Sequence, residues 1–272
     1  MNALITLTTA EFQRAIRNRW ALASILLLAS LAFSLALLGS APIGETRASL
    51  MSITTVSLSS LSLYLIPLVA LTISFDTIVG EAEQGTLLLL LSYPISRWQI
   101  ILGKFSGQLL VLLLAILVGY GSAGIYLAAQ GGADSTAWIS YVQMMASSLV
   151  LGAVFIGIGC LISLLSKVRA SAIGAAVGIW LLLLVLYDLV LLGLVLADKE
   201  QRLMPELFNL LVLLNPADVY RLYNLAGSDA AGLVSGVAGL ATAGPHALLG
   251  IMGLWVAGLM AVSVYLFSRK EL

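Results

Sequence analysis

The sequence predicts an all-α integral membrane protein in which six transmembrane helices follow an N-terminal interfacial amphipathic helix and are interrupted by a short helical connection on one side. Three observations carry this prediction. First, 61% of the 272 residues are hydrophobic and only 10% are charged, whereas soluble domains carry about a quarter charged residues. Second, apolar stretches of spanning length recur at 20–40, 50–75, 105–129, 139–165, 171–197 and 246–267. About 20 apolar residues cross a hydrocarbon core of about 30 Å, and without water to satisfy the backbone such spans must be helices. Third, the basic residues are unevenly distributed. One side of the six-span arrangement holds Arg14, Arg17, Arg19, Arg97, Lys104, Lys167, Arg169, Arg269 and Lys270, nine of the thirteen Lys and Arg in the chain.

Cytoplasmic flanks carry Lys and Arg in excess, so both termini and the 80–104 connection are expected in the cytoplasm. The remaining cations, Arg47, Lys199, Arg202 and Arg221, fall on the other side, three of them in a long loop where the rule has little force. The whole chain, 1–272, reads as one transmembrane domain. The first apolar run is longer than the core of a cleaved signal peptide and follows a charged, helix-like stretch, so it reads as a retained span.

Composition also excludes classes of function. A formal net charge of zero with no run of like charges gives nucleic acid nothing to bind. The single cysteine, Cys160, sits in an apolar segment and reads as packing, with no internal disulfide or thiolate cluster available.

Before the first span, Thr8 and Glu11 have capping-box spacing, and Phe12, Ile16 and Trp20 recur every four residues opposite Gln13, Arg14 and Arg17. This pattern predicts an amphipathic helix in the cytoplasmic interface, against the alternative of a frayed basic tail. Gly103 with Gly107, and Gly174 with Gly178, have the spacing that lets membrane helices approach closely. In the outer loop, 198–245, Asn215 is a good N-cap, Pro216 suits the first helical position, Asp218 favours the positive helix end, and Gly227 can close the helix. The helix so defined either lies on the membrane or docks a partner. The stretch after it, rich in Gly, Ala and Ser, reads as flexible.

The connection "GEAEQGTLLLLLSYPISRWQIILGK" spans residues 80–104. Its five leucines, 87–91, rise only about 7.5 Å as helix and cannot cross a membrane. Pro94 disfavours the helical region at Tyr93, so a helix through the leucines should end near Ser92. Ser96 and Gln99 then have capping-box spacing and start a new helix running into the third span. Contiguous exposed apolar surface usually marks a binding site. Two readings of the leucines stand on these grounds: a docking surface for a soluble partner, or burial in the lipid interface.

The run of Gly80-Glu81-x-Glu83, Gly85, Thr86, the leucine tract, Pro94, Ser96, Arg97, Trp98 and Gly103-Lys104 resembles the hallmark segment of type-2 ABC exporter permeases. The resemblance covers the whole chain, including the interfacial helix, six spans and a large outer segment before the last span. It implies the type-2 ABC exporter permease fold, with 80–104 carrying a coupling helix that sits in a cleft of a separate ATPase subunit. The residues so implicated in ATPase coupling are Glu81, Glu83, Gly85, Thr86, Leu87, Leu88, Leu91, Pro94 and Arg97. The partners implied are two copies of a cytoplasmic ABC ATPase, which bind ATP and Mg, and a second copy of this chain, in a bacterial inner membrane. No cofactor is expected in this chain.

The segments "RNRW", "LGSAP", "GKFSGQLLVLLLAILVGYG", "VLYDLVLLGLVLAD" and "LLNPADVYRLYNLAG" are similar to the permeases of Nos-type transporters, which serve maturation of the copper-sulfur centre of nitrous-oxide reductase. That similarity implies a periplasmic copper-handling subunit as a further partner. Asp218, Tyr220, Arg221 and Tyr223 on the outer helix are the expected docking residues.

No G-x-x-x-x-G-K-[ST] loop occurs in the sequence, so nucleotide phosphates are not cradled here by that route. Asp188 is the one acid well inside a span, where a charge costs about 2.5–3.5 kcal/mol at the helix centre. It therefore needs a partner, either on a substrate path or in packing near the outer interface. His246, the only histidine, reads as an interfacial anchor. Met144 and Met145 read as packing, because adjacent helical positions point about 100° apart, so no metal site is expected. A secondary transporter would need buried ionisable groups in matched halves, and an intramembrane enzyme a nucleophile with its base. Neither pattern is visible in the sequence.

Overall fold

The structure, a computed structural model, describes residues 3–17, 19–39, 50–130, 135–197, 205–226 and 244–270. Every regular element among the described residues is helical. In chain order these are α1 (Ala3–Ile16), α2 (Arg19–Gly39), α3 (Leu50–Ser74), α4 (Val79–Glu83), α5 (Thr86–Ser92), α6 (Arg97–Ala129) and α7 (Ser135–Leu165). There follow α8 (Arg169–Leu181), a π-helical turn (Leu182–Leu186), α9 (Tyr187–Ala197), α10 (Pro205–Leu214), α11 (Pro216–Ala226) and α12 (Pro245–Arg269).

Five helices among the described residues are long and apolar enough to cross a membrane: Met51–Glu83, Arg97–Ala129, Ser135–Leu165, Arg169–Ala197 and Pro245–Arg269. The apolar part of α2, Leu22–Leu37, is shorter. At the centre stands α7, packed against α3, α6, α11 and α12, with 78% of its most apolar stretch buried inside the chain. The span made by α8, the π-turn and α9 is the opposite case, with only 11% buried. Both are uniformly apolar, so what separates them is the availability of neighbours within this chain.

The first helix departs from expectation. It starts by Ala3, and Thr8 lies inside it with its hydroxyl donating back to the Leu4 carbonyl at 2.9 Å, so Thr8 and Glu11 do not form a capping box. The helix also stops at Ile16, and Trp20 belongs to α2; the four-residue stripe therefore ends at Ile16. Phe12 and Ile16 do pack on the core while Gln13, Arg14 and Arg17 are exposed.

The surface that α1 covers is the start of α6. A Cβ on Gly103 would lie 2.7 Å from the Leu7 Cβ, and one on Gly107 2.7 Å from the Glu11 Cβ. This glycine pair does allow close approach, but its partner is α1 and not another span. At Gly174 and Gly178 a Cβ would meet nothing within 4 Å.

The segment read as an outer loop supplies a helical hairpin. Asn215 caps α11 as expected, its Oδ1 accepting from the Ala217 amide at 3.1 Å, with Pro216 in the first turn; Gly227 lies outside the described residues. The hairpin enters the bundle: Val219, Tyr220 and Leu222 are buried against α7, α12 and α3.

Candidate functional site

Two polar assemblies are built into this apolar frame. The first is the connection between α3 and α6. Where α3 ends, Ser163 of α7 accepts hydrogen bonds from the amides of Ile78 (2.8 Å) and Val79 (3.0 Å), satisfying donors that the start of α4 leaves free. Glu81, only 8% exposed, takes a hydrogen bond from Lys104 Nζ at 2.6 Å and a second from Arg14. Lys104 is itself 3% exposed and also donates to Glu11 at 3.3 Å. An isolated charge at such burial costs several kcal/mol, which the paired carboxylates offset. The other Glu81 oxygen, Oε2, is buried with no hydrogen-bond partner among the described residues.

Glu83 faces the start of α8. Its Oε1 accepts from the Arg169 amide at 2.8 Å and its Oε2 lies 3.4 Å from Arg169 Nε. The Arg169 guanidinium also donates to the Gly80 carbonyl at 3.1 Å. The foot of the connection, α4, is thus tied to α1, α6, α7 and α8.

Gly85 then turns the chain with φ of 72°, a left-handed conformation that residues with a Cβ adopt at a cost, and α5 follows. Leu87 is buried, and Leu90 and Leu91 pack partly on the core, the i, i+3, i+4 set of one helical face. The opposite face is open: Leu88 is 60% exposed, Leu89 66% and, just past the helix, Tyr93 63%. As predicted, α5 ends at Ser92, Tyr93 is extended before Pro94, and the Ser96 amide donates to Gln99 Oε1 at 3.1 Å where α6 begins. Arg97 caps the last turn of α12, Nη1 donating to the carbonyls of Phe267 (2.8 Å), Ser268 (3.1 Å) and Lys270 (2.8 Å).

The nine residues expected to couple to an ATPase therefore divide. Glu81 and Leu87 point inward, Glu83 and Arg97 hold other parts of this chain, and Gly85 and Pro94 shape the backbone. Thr86 is exposed but its hydroxyl returns to the Glu81 carbonyl at 3.3 Å. Leu88 is open and Leu91 half-covered. Leu89 and Tyr93 were missed, although the 87, 90, 91 spacing assigns the outer face once the inner one is known.

The second assembly surrounds the hairpin tip. Arg221 donates to Asp188 Oδ2 at 2.6 Å through Nη2 and to Asp218 Oδ1 at 3.0 Å through Nη1. Asp188 thus has the partner its position requires, and that partner comes from the helix predicted within the outer loop. Asn215 Nδ2 donates to Asp218 Oδ2 at 2.9 Å and to the Leu183 carbonyl at 2.8 Å, inside the π-turn whose widened register frees backbone groups. Tyr187 donates to the Leu211 carbonyl at 2.5 Å, and Tyr220 shares a hydrogen bond with Ser148 at 2.9 Å.

This geometry corrects the expected outer docking face. Asp218 and Tyr220 are buried, Arg221 holds two carboxylates, and Tyr223 is half-buried against the core. These side chains serve the interior. No group of three His, Cys, Asp or Glu capable of holding a metal ion occurs among the described residues.

Residues 5–272 match the family described as "ABC-2 family transporter protein". The chain belongs to this family. It is also 40% identical, over the full length of both chains, to a protein of Pseudomonas aeruginosa named "Probable ABC transporter permease protein NosY" and to one of the same name from Stutzerimonas stutzeri. As an ABC-2 permease, the protein provides multiple apolar membrane helices and one connection with an apolar tip on an ion-paired foot.

Proposed function

We propose that this ABC-2 permease is the membrane half of an ATP-driven machine, and that α5 is the handle by which a separate ATPase moves it. The observation that carries the reading is the division of labour in the connection. An apolar tip of Leu88, Leu89 and Tyr93 faces outward, while a charged foot is anchored to four other helices. A tip held in a partner's cleft then moves α1, α6, α7 and α8 together.

In this reading α2 completes six spans, α1 lies in the cytoplasmic interface, and both termini face the cytoplasm with most of the basic residues. Two ATPase copies bind ATP and Mg, and two permease copies face each other. The nearly uncovered α8–α9 span, with Gly174 and Gly178 open on it, supports the second copy. The five Nos-like segments support a role in maturing the copper-sulfur centre of nitrous-oxide reductase, with a periplasmic copper-handling subunit as outer partner.

The test is co-purification with the partner ATPase. Leu88→Asp with Leu89→Asp should abolish retention of the ATPase while leaving the detergent-solubilised permease monodisperse, because exposed positions tolerate polar residues within about 0.5 kcal/mol. Retention at the wild-type level refutes the handle. In a strain lacking the permease, the double variant should also fail to restore the copper-sulfur centre, read from the absorbance of purified nitrous-oxide reductase. Restoration of the centre without the permease would refute the maturation role alone.

A further inference from the structure

A half-open cavity of about 540 Å³ lies between the second half of α1 and the end of α3, within the roughly 300–1,000 Å³ typical of small-ligand sites. Its walls differ in charge. From α1 come Arg14 and Arg17, with Glu11 and Gln13; from the α3 side come Thr72 and Asp76.

Neither wall is electrostatically saturated. Arg17 is exposed and forms no ion pair among the described residues. Arg14 donates to Glu81, yet its side chain remains 45% exposed. Asp76 meets Arg169 Nε only at 3.8 Å, beyond hydrogen-bond range, and its carboxylate is a third exposed. The cavity thus presents guanidinium donors on one side and, on the other, a carboxylate paired with Arg169 only at long range.

Its depth narrows the ligand further. On the proposed reading, in which α1 lies in the cytoplasmic interface, the end of α3 at Ser74 puts the cavity at the headgroup layer of the cytoplasmic leaflet. A ligand arriving there carries acyl chains, and the cavity asks for an anion and a hydrogen-bonding cation close together. We propose that this cavity binds the headgroup of phosphatidylethanolamine, its phosphate on Arg17 and Arg14 and its primary ammonium on Asp76. Guanidinium groups suit phosphate oxygens through paired donors, and the ammonium has three N–H donors for the carboxylate and for Thr72. Phosphatidylglycerol has no cation and meets repulsion from Asp76 and Glu11. Phosphatidylcholine has a cation without a donor. The lipid becomes a bridge between the helix that carries Arg14 and the span that leads into α4.

Native mass spectrometry of the whole transporter, delipidated and returned to nanodiscs of phosphatidylethanolamine, phosphatidylcholine or phosphatidylglycerol, tests this. Wild type should retain the ethanolamine lipid in preference to both others. Arg17→Ala, at an exposed position, should lose the bound-lipid mass shift, and Asp76→Asn should erase the preference for ethanolamine over choline. Equal retention of all three lipids by wild type, a preference for the glycerol lipid, or an unchanged mass shift in Arg17→Ala overturns the proposal. Inorganic phosphate serves as the free-anion arm: if it displaces the lipid completely at millimolar concentration, the site is a phosphate site and the lipid assignment fails.

Discussion

Gly85 carries a φ of 72° with no atom within 4 Å of where a Cβ would stand, so any penalty for replacing it is one of backbone and not of crowding. Gly85→Ala should therefore destabilise the connection by about 1–2 kcal/mol, and Gly85→Asn by less, since asparagine tolerates the left-handed region. Thermal unfolding of the purified complex measures the order of the two. At Asp188, Asp188→Asn leaves Arg221 still engaged by Asp218, whereas Arg221→Ala strands two carboxylates. Leaving a polar partner unsatisfied costs about 1–3 kcal/mol, so Arg221→Ala should lower the melting temperature in detergent more than Asp188→Asn does. Asn215 was legible from its neighbours because a cap acts within one turn, and its Oδ1 reaches only to Ala217. The partner of Asp188 was not legible, since Arg221 is 33 residues away in a segment whose composition says nothing of where it folds.

The short helices show a similar divide between local and distant control. The break at Ser92, the extended Tyr93 and the restart at Ser96 follow from proline and capping chemistry inside the 80–104 segment, and each stands where the sequence put it. Which face of α5 turns outward depends on the core beneath it, so a leucine run read as one coupling helix did not separate the buried Leu87 from the open Leu89. In the foot, Lys104 has exchanged water for two carboxylates. Lys104→Ala should destabilise the protein by about 3–5 kcal/mol, the range for removing one member of a buried ion pair. Adding Glu81→Gln should recover part of that loss, because without Lys104 the buried Glu81 carboxylate keeps only Arg14 as a cationic partner. A double-mutant cycle by thermal unfolding checks the coupling. For α1, the apolar stripe was readable and the start was not, because Thr8 and Glu11 mimic a cap inside a helix stabilised by packing on Gly103 and Gly107.

At the scale of the molecule, hydropathy located the long helices well, since a span is set by length and apolar content alone. Hydropathy is blind to neighbours, which is why α7 and the α8–α9 span looked alike and differ so sharply in burial. In the proposed dimer, this uncovered span is the one that faces the second copy. In a Cys160→Ala background, Gly174→Cys or Gly178→Cys should form an intermolecular disulfide in native membranes treated with an added thiol oxidant, seen as a doubled mass on a non-reducing gel. The substitutions themselves meet no steric obstacle, because both positions are open.

The seat of α1 on Gly103 and Gly107 has a bearing on biogenesis. α1 leaves the ribosome before α6, yet the groove it occupies is made by residues translated almost a hundred codons later. Until α6 is made, Glu11 and Arg14 lack the Lys104 that completes their ion-pair cluster. Docking of the earliest segment is thus a late checkpoint of assembly, and a nascent chain arrested before α6 should leave that segment open to protease.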